Sequence, residues 1–266
     1  MLREGLMQYW WLLYRHGKAL AQRTDIYRNV EDAYTARQGD LILTSDSTYL
    51  DIGSGSSLVP TFLFQRRGAT TYATEMDPVY LKRQQEYQVT LHIPKSGKFR
   101  VQAEDATRLS FGDNSLDFIS VISTIEHIPG DGDSRAMAEF KRVLRRGGRL
   151  VLTVPTSPTY QEADSTFYYS GFERRYDAAA LSQRLQRSGL KLIDEQHMVS
   201  PPEEFSNLFH EQFAEILRGE HPAELWYRSG WHEQYADVSI MLTLALIRLS
   251  PNFPGSFGAM LTYEKV

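Results

Sequence analysis

Cysteine is absent from the 266 residues, which removes disulfides, thiolate zinc sites and a cysteine nucleophile in one step. Long apolar runs are missing too. The most apolar, Ile240 to Leu249, is too short to span a bilayer, so no integral membrane segment is expected. Neither sign of charge dominates: a net charge of -4 provides no electrostatic footprint for nucleic acid, and no nucleic-acid partner is expected. The N-terminus, MLREGLMQYWWLLYRHG, carries Arg3 and Glu4 early and lacks a small-residue cleavage site. The expectation is a soluble, cytoplasmic protein whose oligomeric state is open, a homo-oligomer included.

What is present centres on YLDIGSGSS, Tyr49 to Ser57, an apolar run ending in an acid and two glycines. It asks for a strand, a tight turn and a helix, because glycine lets backbone amides approach a ligand and a helix N-terminus would face the same ligand. Short β-type runs then alternate with helical segments. Strands are expected at Thr48 to Ile52, Thr70 to Thr74, Phe99 to Ala103, Leu116 to Ser123, in LVLTVP up to Pro155 and in LKLIDEQHM. The spacing of Met137, Phe140, Val143 and Leu144 predicts a helix closed by Gly147 and Gly148, and Asp177 caps another closed by Gly189. Such alternation implies an α/β fold, a doubly wound and mostly parallel sheet whose ligand lies beyond the carboxyl ends of the strands.

Outside this core, residues 1–47 read as a helical N-terminal extension, with apolar spacing from Leu2 to about Arg23 and a polar stretch of unassigned role after it. Trp10 and Trp11 leave open a lid or a peripheral membrane contact instead of simple packing. Residues 48–199 form the core, 200–236 a helical cap that follows Pro201 and Pro202, and 237–266 a final strand at Val238 to Leu249 with an irregular tail.

Four signals fall in strand order. Asp51, Gly53, Ser54 and Gly55 end the first strand; Glu75 ends the second, about twenty residues on, where a carboxylate can accept from both hydroxyls of a ribose. Asp105 follows the third strand and can accept from an adenine amino group. Ser123, Thr124, Ile125, Glu126 and His127 follow the fourth, where a reacting group would sit. Together these residues resemble a class I S-adenosylmethionine-dependent methyltransferase of the group acting on small molecules, over Tyr49 to Pro155 and more loosely to Leu249. The resemblance implies a seven-stranded Rossmann-like sheet with an antiparallel last strand, and S-adenosylmethionine as cofactor. It further implies that the DIGSG turn holds the methionine part, that Glu75 with Met76 meets the ribose side, that Asp105 and Ala106 lie by the adenine, and that Ser123 lines the site.

Ser57 stands where relatives often carry a glycine, and Asp77 lies close enough to Glu75 to be confused with it, although the strand end TYATE favours Glu75. The Asn/Asp-Pro-Pro-aromatic motif of nucleobase amino-methyltransferases is absent after the fourth strand, which disfavours a base amine as acceptor. Methyl transfer needs chiefly a nucleophile at near-attack distance and, for an alcohol or phenol, a base. His127 is the first candidate base, with Glu126 orienting it; a loop-bonding histidine is the alternative. His210, His221 and His232 are too scattered to argue for a metal, and none is expected. Tyr168, Tyr169, Phe172, Trp226, Tyr227 and Trp231 line either an acceptor pocket or the core. FERRYD reads as a solvated loop, with Arg174 or Arg175 as a conceivable anchor for an acidic acceptor. The rivals are a nicotinamide oxidoreductase, weakened because Leu58 replaces the third fingerprint glycine, and a non-catalytic binding module.

Overall fold

Strand β1 (Thr48–Ile52) defines two faces, with Tyr49 and Asp51 turned one way and Leu50 and Ile52 the other. The computed structural model describes residues 26–94, 97–163, 172–185, 189–199 and 256–266. Helix α1 (Ile26–Ile42) precedes β1, followed by α2 (Val59–Arg67), β2 (Thr70–Thr74), α3 (Pro78–Thr90), β3 (Phe99–Gln102) and β4 (Leu116–Ile122). After a 3-10 turn at Ile125–His127 come α4 (Gly132–Val143), β5 (Leu144–Pro155), the short strands β6 (Gln161–Ala163) and β7 (Glu173–Arg175), and α5 (Ala178–Ala180), which opens into a wider turn at Leu181–Leu185. Strands β8 (Lys191–Val199) and β9 (Ser256–Glu264) complete the sheet.

The seven strands run in the order β3-β2-β1-β4-β5-β9-β8. β1 through β5 are parallel, and β9 is antiparallel to both β5 and β8. The order reverses between β1 and β4, so the crevice at their carboxyl ends is the natural ligand site. One core lies on the α1 and α2 face, with Tyr34, Leu58, Phe62, Leu63, Phe118 and Ile122; the other, with Leu50, Ile119, Met137, Phe140 and Leu152, lies on the α4 face.

The expected β1 and β2 coincide with the observed ones, but two expectations are corrected. The helix before β5 ends at Val143, and Leu144 already pairs with Leu116 before the ladder resumes at Arg149. The glycine pair therefore sits in a bulged stretch and not at a helix end. The tail is no irregular segment, since β9 occupies the antiparallel position next to β5. Pro251, Pro254, Gly255 and Gly258 read as turn signals, whereas Ala259 to Leu261 and Tyr263 are wholly buried in the sheet. The strand expected at Val238 to Leu249, the helix from Leu2 to Arg23 and the cap over 200–236 lie outside the described residues. Among the described residues, no helix is long and apolar enough to cross a membrane.

The stretch before β1 that carried no sequence signal is α1. Gly39 sets how closely it docks: a Cβ there would stand 2.5 Å from a Leu63 methyl and 3.0 Å from the Phe118 ring. Only glycine permits that approach. Asp40 accepts from Arg66 Nε and Arg67 Nε at the end of α2, and the Tyr34 hydroxyl lies 2.8 Å from Asp194 Oδ2 and 2.7 Å from Thr262 Oγ1. Helix α1 is thereby tied to the sheet from its first loops to its far edge.

Candidate active site

The glycine turn and the mouth of β4 meet directly. Gly53 has φ +65°, and a Cβ there would lie 2.4 Å from the Thr124 side chain, so this position requires glycine twice over. Ser123 also adopts a left-handed backbone, φ 43°, sparsely populated outside glycine, and its N–H is held by Thr153 O at 3.1 Å and Thr153 Oγ1 at 3.0 Å. Ser54 joins the turn to β2 by donating its N–H to Thr74 O at 2.8 Å and accepting from Thr74 N at 3.0 Å. Gln84 of α3 donates to Gly55 O at 3.1 Å and Ser57 O at 2.9 Å, propping the turn from beneath.

Asp51 is paired in register with Ser120, so both side chains stand on the α1 face. Its Oδ1 accepts from Ser120 Oγ and from the Tyr49 hydroxyl at 3.3 Å, while buried Oδ2 has no hydrogen-bond partner. Burial pushes the Asp51 carboxyl up to about 7, and the Asp32 charge adds to this against hydrogen bonds from Ser120 and Ser54. The unfolded value is about 4, so between pH 4 and 7 the native state holds the extra proton and stability falls as pH rises. Asp51→Asn removes that dependence. Its unfolding midpoint, relative to the unsubstituted protein, should move upward by a few degrees between pH 5 and pH 8, at about 2–4 °C per kcal/mol. Thermal melts at the two pH values without ligand check this; a constant difference would mean that Asp51 does not titrate there.

The Glu75 carboxylate is fixed at the end of β2 by backbone donors: Oε2 accepts from Gly55 N at 3.0 Å, and Oε1 from Met76 N at 2.8 Å and Asp77 N at 3.3 Å. Asp77 is spent as the N-cap of α3, accepting from Val79 N at 2.8 Å. Met76 is exposed beside them. After β3 the two neighbouring acids divide their roles. Glu104 is buried and accepts from Ser110 N at 3.0 Å and Gln102 Nε2 at 2.8 Å, whereas Asp105 is exposed, its Oδ1 accepting from Thr107 N and Thr107 Oγ1, each at 2.8 Å. Ala106 is buried under this loop.

His127 Nδ1 lies 2.9 Å from Phe172 O. A carbonyl only accepts, so Nδ1 carries the hydrogen and Nε2 of the neutral ring presents a lone pair. Nε2 is 3.9 Å from Oε1 of buried Glu126, which would stabilise an imidazolium once a proton arrived. Phe172 is thus the carbonyl anchor of His127, and its ring lies under the Arg174 guanidinium at 4.9 Å.

The reading of FERRYD as a solvated loop is corrected. Glu173–Arg175 is β7, and the Arg174 side chain is fully buried. It donates to Glu162 Oε1 at 3.1 Å and Gly130 O at 2.8 Å, and lies 3.5 Å from Asp133 Oδ2. Asp133 also accepts from Arg184 Nε at 2.7 Å and the Tyr176 hydroxyl at 3.0 Å. Burial acts to raise the Asp133 carboxyl, but the Arg184 hydrogen bonds and Arg174 charge hold it below the usual range. An arginine with these partners is a tie between β7, α4 and the turn bearing His127. Tyr168, Tyr169, Trp226, Tyr227, Trp231, His210, His221 and His232 lie outside the described residues.

The sequence reading missed Gln84, Glu31 and Asp32. Ser123 Oγ donates to Glu31 Oε1 at 2.8 Å, and Ser57 Oγ donates to Asp32 Oδ1 at 3.2 Å. The signal available was an acid pair in a segment of good helix formers, ED at 31–32, but nothing local says which surface it meets.

A seven-stranded sheet with one antiparallel strand next to its edge, and acids at successive strand ends, defines the Rossmann-like methyltransferase fold. Residues 50–152 match the family model described as a methyltransferase domain. No curated protein matches the sequence. Among solved structures, a protein described as a sarcosine dimethylglycine methyltransferase from Galdieria sulphuraria is 17% identical with a TM-score of 0.57, over 88% of this chain and 84% of that one. Geranyl diphosphate C-methyltransferase from Streptomyces coelicolor A3(2), in complex with Mg2+, geranyl diphosphate and S-adenosyl-L-homocysteine, is 12% identical with a TM-score of 0.57, over 86% and 77%. Phosphoethanolamine N-methyltransferase 2 from Haemonchus contortus, in complex with S-adenosyl-L-methionine, is 14% identical with a TM-score of 0.56, over 88% of this chain and 52% of that one.

The residues present fit the cofactor. S-adenosylmethionine displays donors along its length, an ammonium, ribose hydroxyls and an adenine amine, and the strand ends here offer carboxylates, which when ionised only accept. Asp51 Oδ2, buried without a hydrogen-bond partner, is the atom that most needs a donor.

Proposed function

We propose that the chain transfers a methyl group from S-adenosylmethionine to an oxygen, nitrogen or carbon of a small organic acceptor. Asp51, Gly53, Ser54 and Gly55 would hold the methionine part, Glu75 and Met76 the ribose side, Asp105 and Ala106 the adenine, and Ser123 the seam between them. When bound, the cofactor supplies a methyl carbon made electrophilic by its sulfonium, so the chain's main task is to position an acceptor. His127 carries the proposal furthest. Its Nδ1 donates to Phe172 O and its Nε2 lies 3.9 Å from Glu126 Oε1, a carboxylate that would stabilise the ring on gaining a proton.

A small acceptor is supported by the absence of the nucleobase motif after β4, where the chain reads STIEHIP, and by the net charge of -4. The three solved relatives named above carry small molecules in their descriptions, and those substrates belong to those proteins. The test is incubation with methyl-labelled S-adenosylmethionine and a metabolite extract, followed by mass spectrometry. Label in low-mass products is expected; label confined to protein or nucleic acid would reject the small acceptor. His127→Gln should retain S-adenosylhomocysteine binding and lose turnover, and retained turnover would remove His127 from the reaction.

A further inference from the structure

Within the 3-10 turn that bears His127, His127 N donates to Thr124 O at 3.1 Å and Ile128 N to Ile125 O at 3.2 Å. These bonds set the backbone, whereas the direction of the imidazole is set from the segment entering β7. Phe172 O lies 2.9 Å from His127 Nδ1, and the buried Arg174 guanidinium, in the strand that follows, reaches both ends of the turn. Its Nη1 is 3.5 Å from Ile125 O and its Nη2 2.8 Å from Gly130 O, while its central carbon lies 4.9 Å from the centroid of the Phe172 ring. One planar cation therefore joins the carbonyl anchor of the imidazole to the backbone that carries it. Arg184 shares Gly130 O at 2.8 Å, but its guanidinium stands over Tyr160. Glu162 and Asp133 bind the Arg174 guanidinium as well, and a buried fork with its donors engaged keeps its orientation.

We propose that Arg174 is a positioning residue for His127, an inference that rests on the reading of His127 as the base. Stacked on Phe172 and bonded to Ile125 O and Gly130 O, it fixes Phe172 O against the imidazole, and the hydrogen bond made at Nδ1 selects the tautomer whose lone pair is on Nε2. Nε2 is the nitrogen near Glu126 Oε1, where the charge of an imidazolium is balanced. A histidine released from such an anchor favours the other tautomer, with the hydrogen on Nε2 and the lone pair on the wrong nitrogen. A displacement of about 1 Å at a reacting group can cost about 100-fold in rate even when the altered residue is remote from the chemistry. Lysine is a poor substitute, because an ammonium has no plane to stack and no fixed fork for two carbonyls.

The test is nitrogen-15 NMR of the full chain labelled at histidine, in which ring shifts distinguish a protonated from an unprotonated nitrogen and His127→Gln assigns the His127 signals. In the unsubstituted protein, at a pH where the ring is neutral, the hydrogen is expected on Nδ1. Arg174→Met is expected to move it largely to Nε2. Arg174→Lys should give a mixture, and so should Phe172→Leu, which keeps the carbonyl but removes the face under the guanidinium. Labelled-methyl turnover in the metabolite extract should fall by about 10- to 100-fold in Arg174→Met, inside the roughly 100- to 10,000-fold that a general base supplies, and by less in Arg174→Lys. S-adenosylhomocysteine affinity, read by calorimetry, should stay unchanged in each. A hydrogen retained on Nδ1 in Arg174→Met and Phe172→Leu would overturn the inference, as would turnover retained despite a shifted tautomer. Equal loss of S-adenosylhomocysteine binding and turnover would make Arg174 a scaffold only and overturn it too. The base reading fails separately: turnover retained in His127→Gln rejects it and this inference with it, whereas turnover lost in His127→Gln with the tautomer unmoved in the Arg174 variants rejects this inference alone. A thermal melt of each variant identifies loss of folding, and Phe172→Leu carries the test if Arg174→Met does not fold.

Discussion

Arg174→Ala is expected to lower the unfolding free energy by about 3–5 kcal/mol, the range for breaking a buried ion pair from one side. The guanidinium is fully buried, and without it Gly130 O keeps only the Arg184 donor, Glu162 loses its ion-pair partner and keeps the Tyr160 hydroxyl, and Asp133 must rely on Arg184 and Tyr176. The midpoint of thermal unfolding should fall by roughly 10 °C. Arg174→Met separates charge from volume. It fills most of the space but supplies no donor, so a loss as large as that of alanine assigns the effect to the ionic network, whereas near-normal stability would mean that packing alone counted. Because β7 follows directly on Phe172, whose carbonyl fixes His127, surviving Arg174 variants should also misplace the candidate base.

Glu75→Ala should weaken S-adenosylhomocysteine binding by about 1–3 kcal/mol, or roughly 5- to 150-fold, if its carboxylate receives charged hydrogen bonds from the ribose. The structure adds a second reason. Glu75 also receives the Gly55, Met76 and Asp77 N–H groups, so alanine loosens the glycine turn together with the sugar contact. Glu75→Gln keeps an acceptor oxygen while removing the charge, and is expected to fall between the two. Calorimetry decides the matter: unchanged affinity in Glu75→Ala would take Glu75 out of the site.

The strand ends were legible because the residues that mark them are local. β1 and β2 start and stop where TYLDI and TTYAT do, since a buried parallel strand is a short apolar or β-branched run. Asp77 competed with Glu75 in the sequence, and the tertiary structure separates them, because Asp77 lies at the N-terminus of α3 and caps it. FERRYD was misread for a related reason. A run of charges is soluble by default, and only the convergence of Asp133, Glu162 and Gly130 from distant parts of the chain lets Arg174 be buried.

By itself the sequence determined the α/β alternation, the glycine turn and the order of the acids at the strand ends, because strand period, glycine geometry and carboxylate chemistry each act within a few residues. The tertiary structure decided what requires two remote segments to meet. The tail became an interior strand because it pairs with both β5 and β8, and α1 docks on the sheet because Gly39 lets it approach Leu63 and Phe118. Tertiary structure likewise left Asp51 buried with one oxygen unpaired, since its environment is built by β4 and α1 and not by its own strand.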